Sequence, residues 1–272
     1  MKKLFTMLAA ILTLCGASVF SSCSKDKEDN SSLAEKLVGK WLYVEADGEK
    51  VETEESTVST FVMEGSTLKG YISISMKEYG LWAFNHPMEV AIDGDKMTLT
   101  MHEGDITTVE ELSDITISDE EMSYTSTYTV MRNGQVINDD TEPYRLRCVK
   151  VHDDYSQIII GRWEGSYTSD EPGFEPVPFC EEYLADGTFI VYTLVDGQWV
   201  PAEADYTEYF VDGNLVCTRW KTPGSEEERE NCIFASYENG ILTVKEVVEH
   251  NGHLYTETST LTKGVFYKLK YC

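Results

Sequence analysis

Apolar and polar residues alternate along much of the chain. Met122, Tyr124, Tyr128 and Val130 share one phase of this alternation, while Ser123, Thr125, Thr127 and Thr129 share the other. A period of two is typical of strands that bury one face. Asp-Gly and Asn-Gly pairs separate such stretches, and these dipeptides favour tight hairpin turns. The pattern therefore predicts an all-β protein built from antiparallel meanders.

Helix is predicted at only two short segments. Ser32 and Glu35 have the spacing of a capping box, which predicts a short helix just before Gly39. Asp154 and Gln157 take the equivalent places in the second half of the chain.

The two halves of the chain repeat one order of short motifs. Gly39 and Trp41 lie 122 residues before Gly161 and Trp163. Further pairs follow at similar offsets, namely Phe61 with Tyr183, Asp93 with Asp212, Asn133 with Asn251, and residues 144–147 with residues 267–270. A repeated order of this kind indicates a duplication. It predicts two tandem domains, at residues 31–152 and 153–272.

Each half begins with a short turn, opens its first strand with Gly-x-Trp and ends on a strand with basic residues. This plan resembles the lipocalin-like barrel. The resemblance implies two tandem meander barrels, each with a short N-terminal helix, in which Trp41 and Trp163 plug the closed ends. It also implies that a basic residue of each last strand lies across the indole, with a cation–π contact of about 1 kcal/mol. The candidates for this residue are Arg145 and Arg147 in the first half, and Lys268 and Lys270 in the second.

The N-terminal segment has the layout of a secretory signal. Lys2 and Lys3 precede an apolar run from residue 4 to residue 20, and two serines then lead to Cys23. The segment resembles a lipoprotein signal of the Bacteroidota type, which implies removal of residues 1–22 and lipid attachment at Cys23. An uncleaved membrane anchor is the alternative, because the run approaches the roughly 18 residues that can span a bilayer.

Residues 23–30 form a charged tether without apolar side chains beyond the cysteine, and such a segment does not fold by itself. It resembles the tag that directs lipoproteins of this type to the outer face of the outer membrane. We therefore expect a lipid-anchored, surface-exposed outer-membrane protein, with the periplasmic face as the alternative location.

Charge and motifs narrow the function classes. The formal net charge of −26 argues against nucleic acid as a partner, because phosphates would repel the chain. The sequence contains no GxSxG, phosphate-loop or CxxC motif, so it predicts neither an enzyme nor a cofactor. His250 and His253 bracket a predicted turn, and a metal site there would need Glu249 or Glu257 as a third ligand. Polar turn residues are the simpler interpretation.

Five cysteines remain after Cys15 and Cys23 are assigned to the signal and the lipid, namely Cys148, Cys180, Cys217, Cys232 and Cys272. Cys217 and Cys232 flank a predicted hairpin tip and form a candidate disulfide, with buried free thiols as the alternative.

The expected function is binding rather than catalysis. A lipocalin-like barrel offers a cavity at its open end, so we expect a small ligand or a glycan to bind there. Tyr167, Phe174 and Phe179, in the proline-containing loop 167–180, are the candidate ligand contacts, although this loop also has the composition to cap its own barrel. The alternative function is a structural or accessory lipoprotein that binds an outer-membrane protein. A hydrolase with unrecognised carboxylates is a third possibility.

Overall fold

The computed structural model describes residues 32–76, 80–226 and 228–264. The predicted signal, Cys23 and the tether lie outside the described residues, as do Lys268, Lys270 and Cys272. Within the described ranges, no helix is both long and apolar enough to cross a membrane.

The predicted capping box is present at the first helix, α1 (Leu33–Leu37). The Ser32 hydroxyl accepts a hydrogen bond from the Glu35 amide, and the Glu35 carboxylate accepts one from the Ser32 amide at 2.7 Å. The equivalent second segment differs from the expected helix. Asp154 accepts a hydrogen bond from the amide of Ser156, only two residues away, and the chain completes a single turn before the next strand.

The first half forms a closed barrel. Its strands follow one another around a single sheet, and β9 pairs back with β1, so that eight antiparallel strands close and β2 lies outside the ring. A 3-10 helix, Thr53–Glu55, lies between β2 and β3. The strands are β1 (Gly39–Ala46), β2 (Glu49–Lys50), β3 (Val58–Glu64), β4 (Thr67–Met76), β5 (Leu81–Asp93), β6 (Lys96–Glu103), β7 (Ile106–Ile117), β8 (Glu121–Arg132) and β9 (Gln135–Val151).

The second half forms a curled but open sheet in the order β13-β12-β11-β10-β18-β17-β16-β15-β14. The all-β meander is thus confirmed, whereas closure differs between the halves. After β12 the chain turns at Asp196 and Gly197, and the next strand, β13, pairs with β12. β13 therefore occupies the side of β12 where β14 would have to pair to close a barrel. The strands are β10 (Gly161–Ser169), β11 (Val177–Tyr183), β12 (Phe189–Val195), β13 (Gln198–Pro201), β14 (Tyr206–Asp212), β15 (Leu215–Lys221), β16 (Glu228–Glu238), β17 (Ile241–His250) and β18 (His253–Lys263).

The two Gly-x-Trp motifs adopt the same geometry. Trp41 and Trp163 are both fully buried. Each indole N–H donates to the carbonyl four residues earlier, at 2.8 Å to Leu37 and 2.6 Å to Ile159. These bonds tie the first strand of each sheet to the turn that precedes it.

A lysine, rather than the expected arginine, lies across the first indole. Lys150 Nζ is 5.2 Å from the ring centroid of Trp41, because Trp41 and Lys150 are direct partners between β1 and β9. Arg147 instead forms ion pairs with Glu45 and Glu121, and Arg145 bonds to Ser123. In the second half Lys263 lies across Trp163, also at 5.2 Å and also as its direct partner.

The two sheets pack against each other through a shared apolar cluster. Its buried members are Leu42, Val58, Phe210, Leu215, Cys217 and Cys232. Beside the cluster, buried Asp212 accepts a hydrogen bond from Ser73 at 2.6 Å and forms an ion pair with Lys40. The first sheet ends at Val151 and the second begins at Gly161, but because of this interface the division into two independent domains stays a prediction.

Cys217 and Cys232 are direct partners between β15 and β16, and the structure joins them in a disulfide with a Cα separation of 4.2 Å. Cys148 and Cys180 are free and buried. Burial raises the pKa of Cys148 to about 12 and that of Cys180 to about 11, so neither thiol has the character of a reactive thiolate.

Candidate ligand-binding site

The concave face of the second sheet carries ionisable side chains among aromatic ones. Strand alternation places Tyr167 on the same face as buried Trp163, and Glu181 is the direct partner of Trp163 on β11. Glu246 and Glu257 are direct partners between β17 and β18. We use the name cup for this surface. Its defining residues are Tyr167, Glu181, Asn231, Glu246 and Glu257.

Among the residues of the cup, Glu246 has the carboxyl with the largest number of acidic neighbours. Burial, followed by the nearby charges of Glu257, Glu54 and Glu181, raises its pKa to about 7. Asn231 Nδ2 donates a hydrogen bond to Glu246 Oε2 at 3.2 Å and opposes part of this shift. Near neutral pH this side chain therefore exists in both the neutral and the ionised form.

Glu181 lies on the apolar side of the same surface. Burial raises its pKa to about 7, although the hydroxyl of Tyr183 donates a hydrogen bond to its carboxylate at 2.7 Å. Tyr183 is itself almost fully buried, so the Glu181 carboxyl has little access to water on the side that faces Tyr183. A neutral carboxyl group both donates and accepts hydrogen bonds.

The three aromatic residues predicted as ligand contacts lie together at the rim of the cup. The ring centroid of Tyr167 is 5.1 Å from that of Phe174 and 6.5 Å from that of Phe179. All three side chains are half-buried. Their contact with a ligand stays a prediction.

Polar contacts hold the loop that carries Phe174. Asp170 Oδ1 accepts a hydrogen bond from the amide of Thr256 at 2.8 Å. Glu171 Oε1 lies 2.8 Å from His250 Nδ1, so one of the two turn histidines is used to anchor this loop. In the described part of the chain, no group of three or more His, Cys, Asp or Glu side chains is arranged to hold a metal ion.

A segment of the first half borders the cup. The Thr53 hydroxyl bonds to both the amide and the carbonyl of Val247, which satisfies backbone groups of β17 next to Glu246. Glu54 adds negative charge close to Glu246. In Glu55, burial and then the charge of Glu52 raise the pKa to about 7, and its Oε2 atom accepts no hydrogen bond within the described structure.

The interior of the first barrel is filled. Its core includes Met97, Met101, Leu112 and Tyr124, and Tyr128 packs against this core. Burial also raises the pKa of Glu110, whose carboxylate accepts a hydrogen bond from Ser126 at 2.8 Å. This Glu110–Ser126 pair is enclosed by the barrel rather than displayed on an open face.

A shallow groove of about 620 Å³ lies on β4, β5 and β6 of the first barrel. Tyr71, Pro87, Glu89 and His102 are among its lining residues. Both ring nitrogens of His86 in this groove are already engaged, by the carbonyl of His102 and the carboxylate of Glu103. The cup, which holds several buried carboxyl groups among aromatic side chains, is therefore the better candidate site.

Sequence reasoning missed the acidic part of the cup. Glu181 and Glu246 are two among 48 acidic residues, and an acidic residue on a strand is usually solvated. One signal was available. Glu181 lies midway between Phe179 and Tyr183, and Glu246 lies two residues after Val244, so each acid continues an inward-facing apolar row.

No protein-family model matches the chain, and no curated protein matches it. Among solved structures, one similar chain is a Nostoc punctiforme protein of unknown function from the DUF3598 family. It is 10% identical, and the alignment covers 86% of this chain and 100% of the other with a TM-score of 0.25. A likeness at this level supports no conclusion about function.

Proposed function

We propose that this protein is a non-enzymatic binding protein whose cup takes a small ligand, with glycans as the favoured class. The observation that supports this function is the presence of buried carboxyl side chains in rows that are otherwise apolar on the second sheet. A carboxyl group taken out of water destabilises the fold unless it has partners, and strongly perturbed carboxyls in a concave surface are typical of functional sites.

The chemistry of the cup suits a hydroxyl-rich ligand. Carboxyls with a pKa of about 7, such as those of Glu181 and Glu246, donate as well as accept hydrogen bonds at or below neutral pH. Asn231 Oδ1 is buried and accepts no hydrogen bond from the described residues, so it offers a further acceptor. The rings of Tyr167 and Phe179 provide apolar contact area for the C–H face of a sugar.

Loss of the rim aromatics is expected to weaken binding without unfolding the protein. Tyr167→Ala and Phe174→Ala each remove one partner of the ring pair, and we expect about a tenfold rise in Kd with little change in Tm. Isothermal titration with maltohexaose, cellohexaose and xylohexaose measures the affinity, and Tyr71→Ala in the groove of the first barrel is the matched control. A large fall in Tm for the two cup variants would show instead that the loop caps its own sheet.

We propose further that the protein is displayed on the outer membrane by a lipid at Cys23. The charged n-region, the apolar run and the small residues before Cys23 support this location. Cys23→Ala is expected to release the protein from membranes or to leave the signal uncleaved. A variant that stays in the outer-membrane fraction with the wild-type mass would contradict lipid attachment at this residue.

A further inference from the structure

The carboxyl groups of the cup lack basic partners. Glu181, Glu246 and Glu257 form no ion pair with a described lysine, arginine or histidine. Glu246 and Glu257 are direct partners between β17 and β18, so two acidic side chains lie opposite each other on the concave face of the sheet. Like charges in this arrangement destabilise a sheet unless another group offsets them.

Other sheltered carboxylates of the second half do have basic partners. Buried Asp212 forms an ion pair with Lys40, and half-buried Glu164 lies 2.8 Å from the guanidinium of Arg162. In the cup the free protein instead binds protons, because the carboxyls there have a raised pKa. A positive charge on a ligand is able to replace those protons.

Once its carboxyls are ionised, the cup mostly offers hydrogen-bond acceptors. Asn231 Nδ2 is already used, since it donates to Glu246 at 3.2 Å. Asn231 Oδ1 is buried and accepts no hydrogen bond from the described residues. The Tyr183 hydroxyl donates to Glu181 at 2.7 Å and is used as well. The complementary ligand therefore supplies donors, and an ammonium group supplies three of them together with a positive charge.

The surroundings favour an organic cation over a metal ion. In the described part of the chain, no three His, Cys, Asp or Glu side chains are placed to hold a metal. An aromatic ring lies beside the acids instead. Burial, followed by the charges of Glu257 and Glu246, raises the pKa of Tyr167, so its hydroxyl end is close to both carboxyls. Aromatic rings attract organic cations and also provide apolar contact for a sugar.

We propose that the cup selects glycans that carry free amino groups, with an ammonium group bound between Glu246, Glu257 and Asn231. This inference rests on the binding function proposed above and names the ligand class. An ammonium group stabilises the ionised form of a neighbouring carboxyl, so the pKa of Glu246 is expected to fall towards its ordinary value in the complex.

The groups that face Glu246 come from several elements of the fold. The charged ones are carboxylates, and the others are an amide and a phenol. They are Glu257 on β18, Glu181 on β11, Glu54 in the 3-10 helix, Asn231 on β16 and Tyr167 on β10.

Three hexasaccharides with the same β-1,4 linkage separate the effect of charge from that of shape. At the second carbon of each sugar, the glucosamine hexamer carries an amino group, the N-acetylglucosamine hexamer an uncharged amide and cellohexaose a hydroxyl. In isothermal titrations of the full mature chain at pH 7 and low salt, we expect the glucosamine hexamer to bind at least about tenfold more tightly than the other two. The preference is expected to shrink with added salt and at pH 5, where Glu181 and Glu246 are protonated.

A protein variant locates the charge that matters. Glu246→Gln keeps the shape of the side chain and is expected to reduce the preference for the glucosamine hexamer over cellohexaose about tenfold. Glu89→Gln, at an exposed position of the first barrel, removes one charge from the same acidic protein and leaves the preference nearly unchanged.

Three results would overturn the proposal. Equal effects of Glu246→Gln and Glu89→Gln would show that the basic hexamer only adheres to an acidic surface. Equal affinities for the three hexamers would refute the selectivity but leave the binding function intact. Failure of all three to bind at millimolar concentration would contradict both the selectivity and the binding function.

Discussion

Trp163→Ala is expected to lower the free energy of unfolding by about 3–5 kcal/mol. Trp163 is fully buried, so its removal leaves a large cavity where β10 meets the preceding turn. The carbonyl of Ile159 also loses its hydrogen-bond donor, and Lys263 loses the ring that it covers. Urea denaturation followed by far-ultraviolet circular dichroism measures this loss.

Two further variants separate the contributions at Trp163. Trp163→Phe keeps most of the apolar volume but removes the indole N–H, and it is expected to destabilise the protein by about 1–3 kcal/mol. Trp199→Ala, on the half-exposed hairpin strand β13, is the matched control and is expected to have a much smaller effect. Equal losses for Trp163→Ala and Trp199→Ala would contradict the structural role of the buried tryptophan.

Stability is expected to fall as the pH rises from about 4 to about 7. Glu55, Glu181 and Glu246 have folded-state pKa values raised to about 7, above the value of about 4.3 in an unfolded chain. A carboxyl with a raised pKa binds its proton more tightly in the folded state, so its contribution is favourable below pH 4.3 and is lost between that pH and about 7. The loss amounts to at most about 4 kcal/mol for each group.

Urea denaturation at half-unit steps of pH tests this dependence. Glu246→Gln keeps the shape and hydrogen bonding of a neutral carboxyl but does not ionise, so it is expected to flatten the curve and to stabilise the protein at pH 8. Glu89→Gln, at an exposed position of the first barrel, is the control and leaves the slope unchanged. A Glu246→Gln variant with the wild-type slope would show that this carboxyl does not couple to folding.

The meander and the buried tryptophans were predictable because both depend on local patterns. Alternation over a few residues decides which face of a strand is buried, and turns such as Asn133–Gly134 and Asn251–Gly252 have the expected positive φ angles. The common role of the two Gly-x-Trp motifs was also predictable, because each indole forms a hydrogen bond with the carbonyl only four residues earlier in the chain. Predicting such features requires no knowledge of which distant residues they contact.

The open second sheet, the register between β1 and β9, and the acidic cup depend on residues that are distant in the sequence, so they were not predictable. The register between β1 and β9 shifts at Tyr43 and Glu45, so a choice between Arg147 and Lys150 as the partner of Trp41 required the structure. A second barrel was expected, but the β12–β13 hairpin diverts one strand and leaves the sheet open. The pKa of Glu246 is raised first by burial and then by charges that include Glu181 on another strand and Glu54 in the 3-10 helix of the first half.

Ligand binding by the cup is tested most directly by carbon-13 NMR of the glutamate carboxyls during titration with maltohexaose, cellohexaose or xylohexaose. We expect the carboxyl resonances of Glu181 and Glu246 to shift on binding, while that of Glu89 in the groove of the first barrel stays in place. Titrations in which none of the three oligosaccharides moves the Glu181 and Glu246 resonances, or in which only Glu89 responds, would contradict the cup as the binding site.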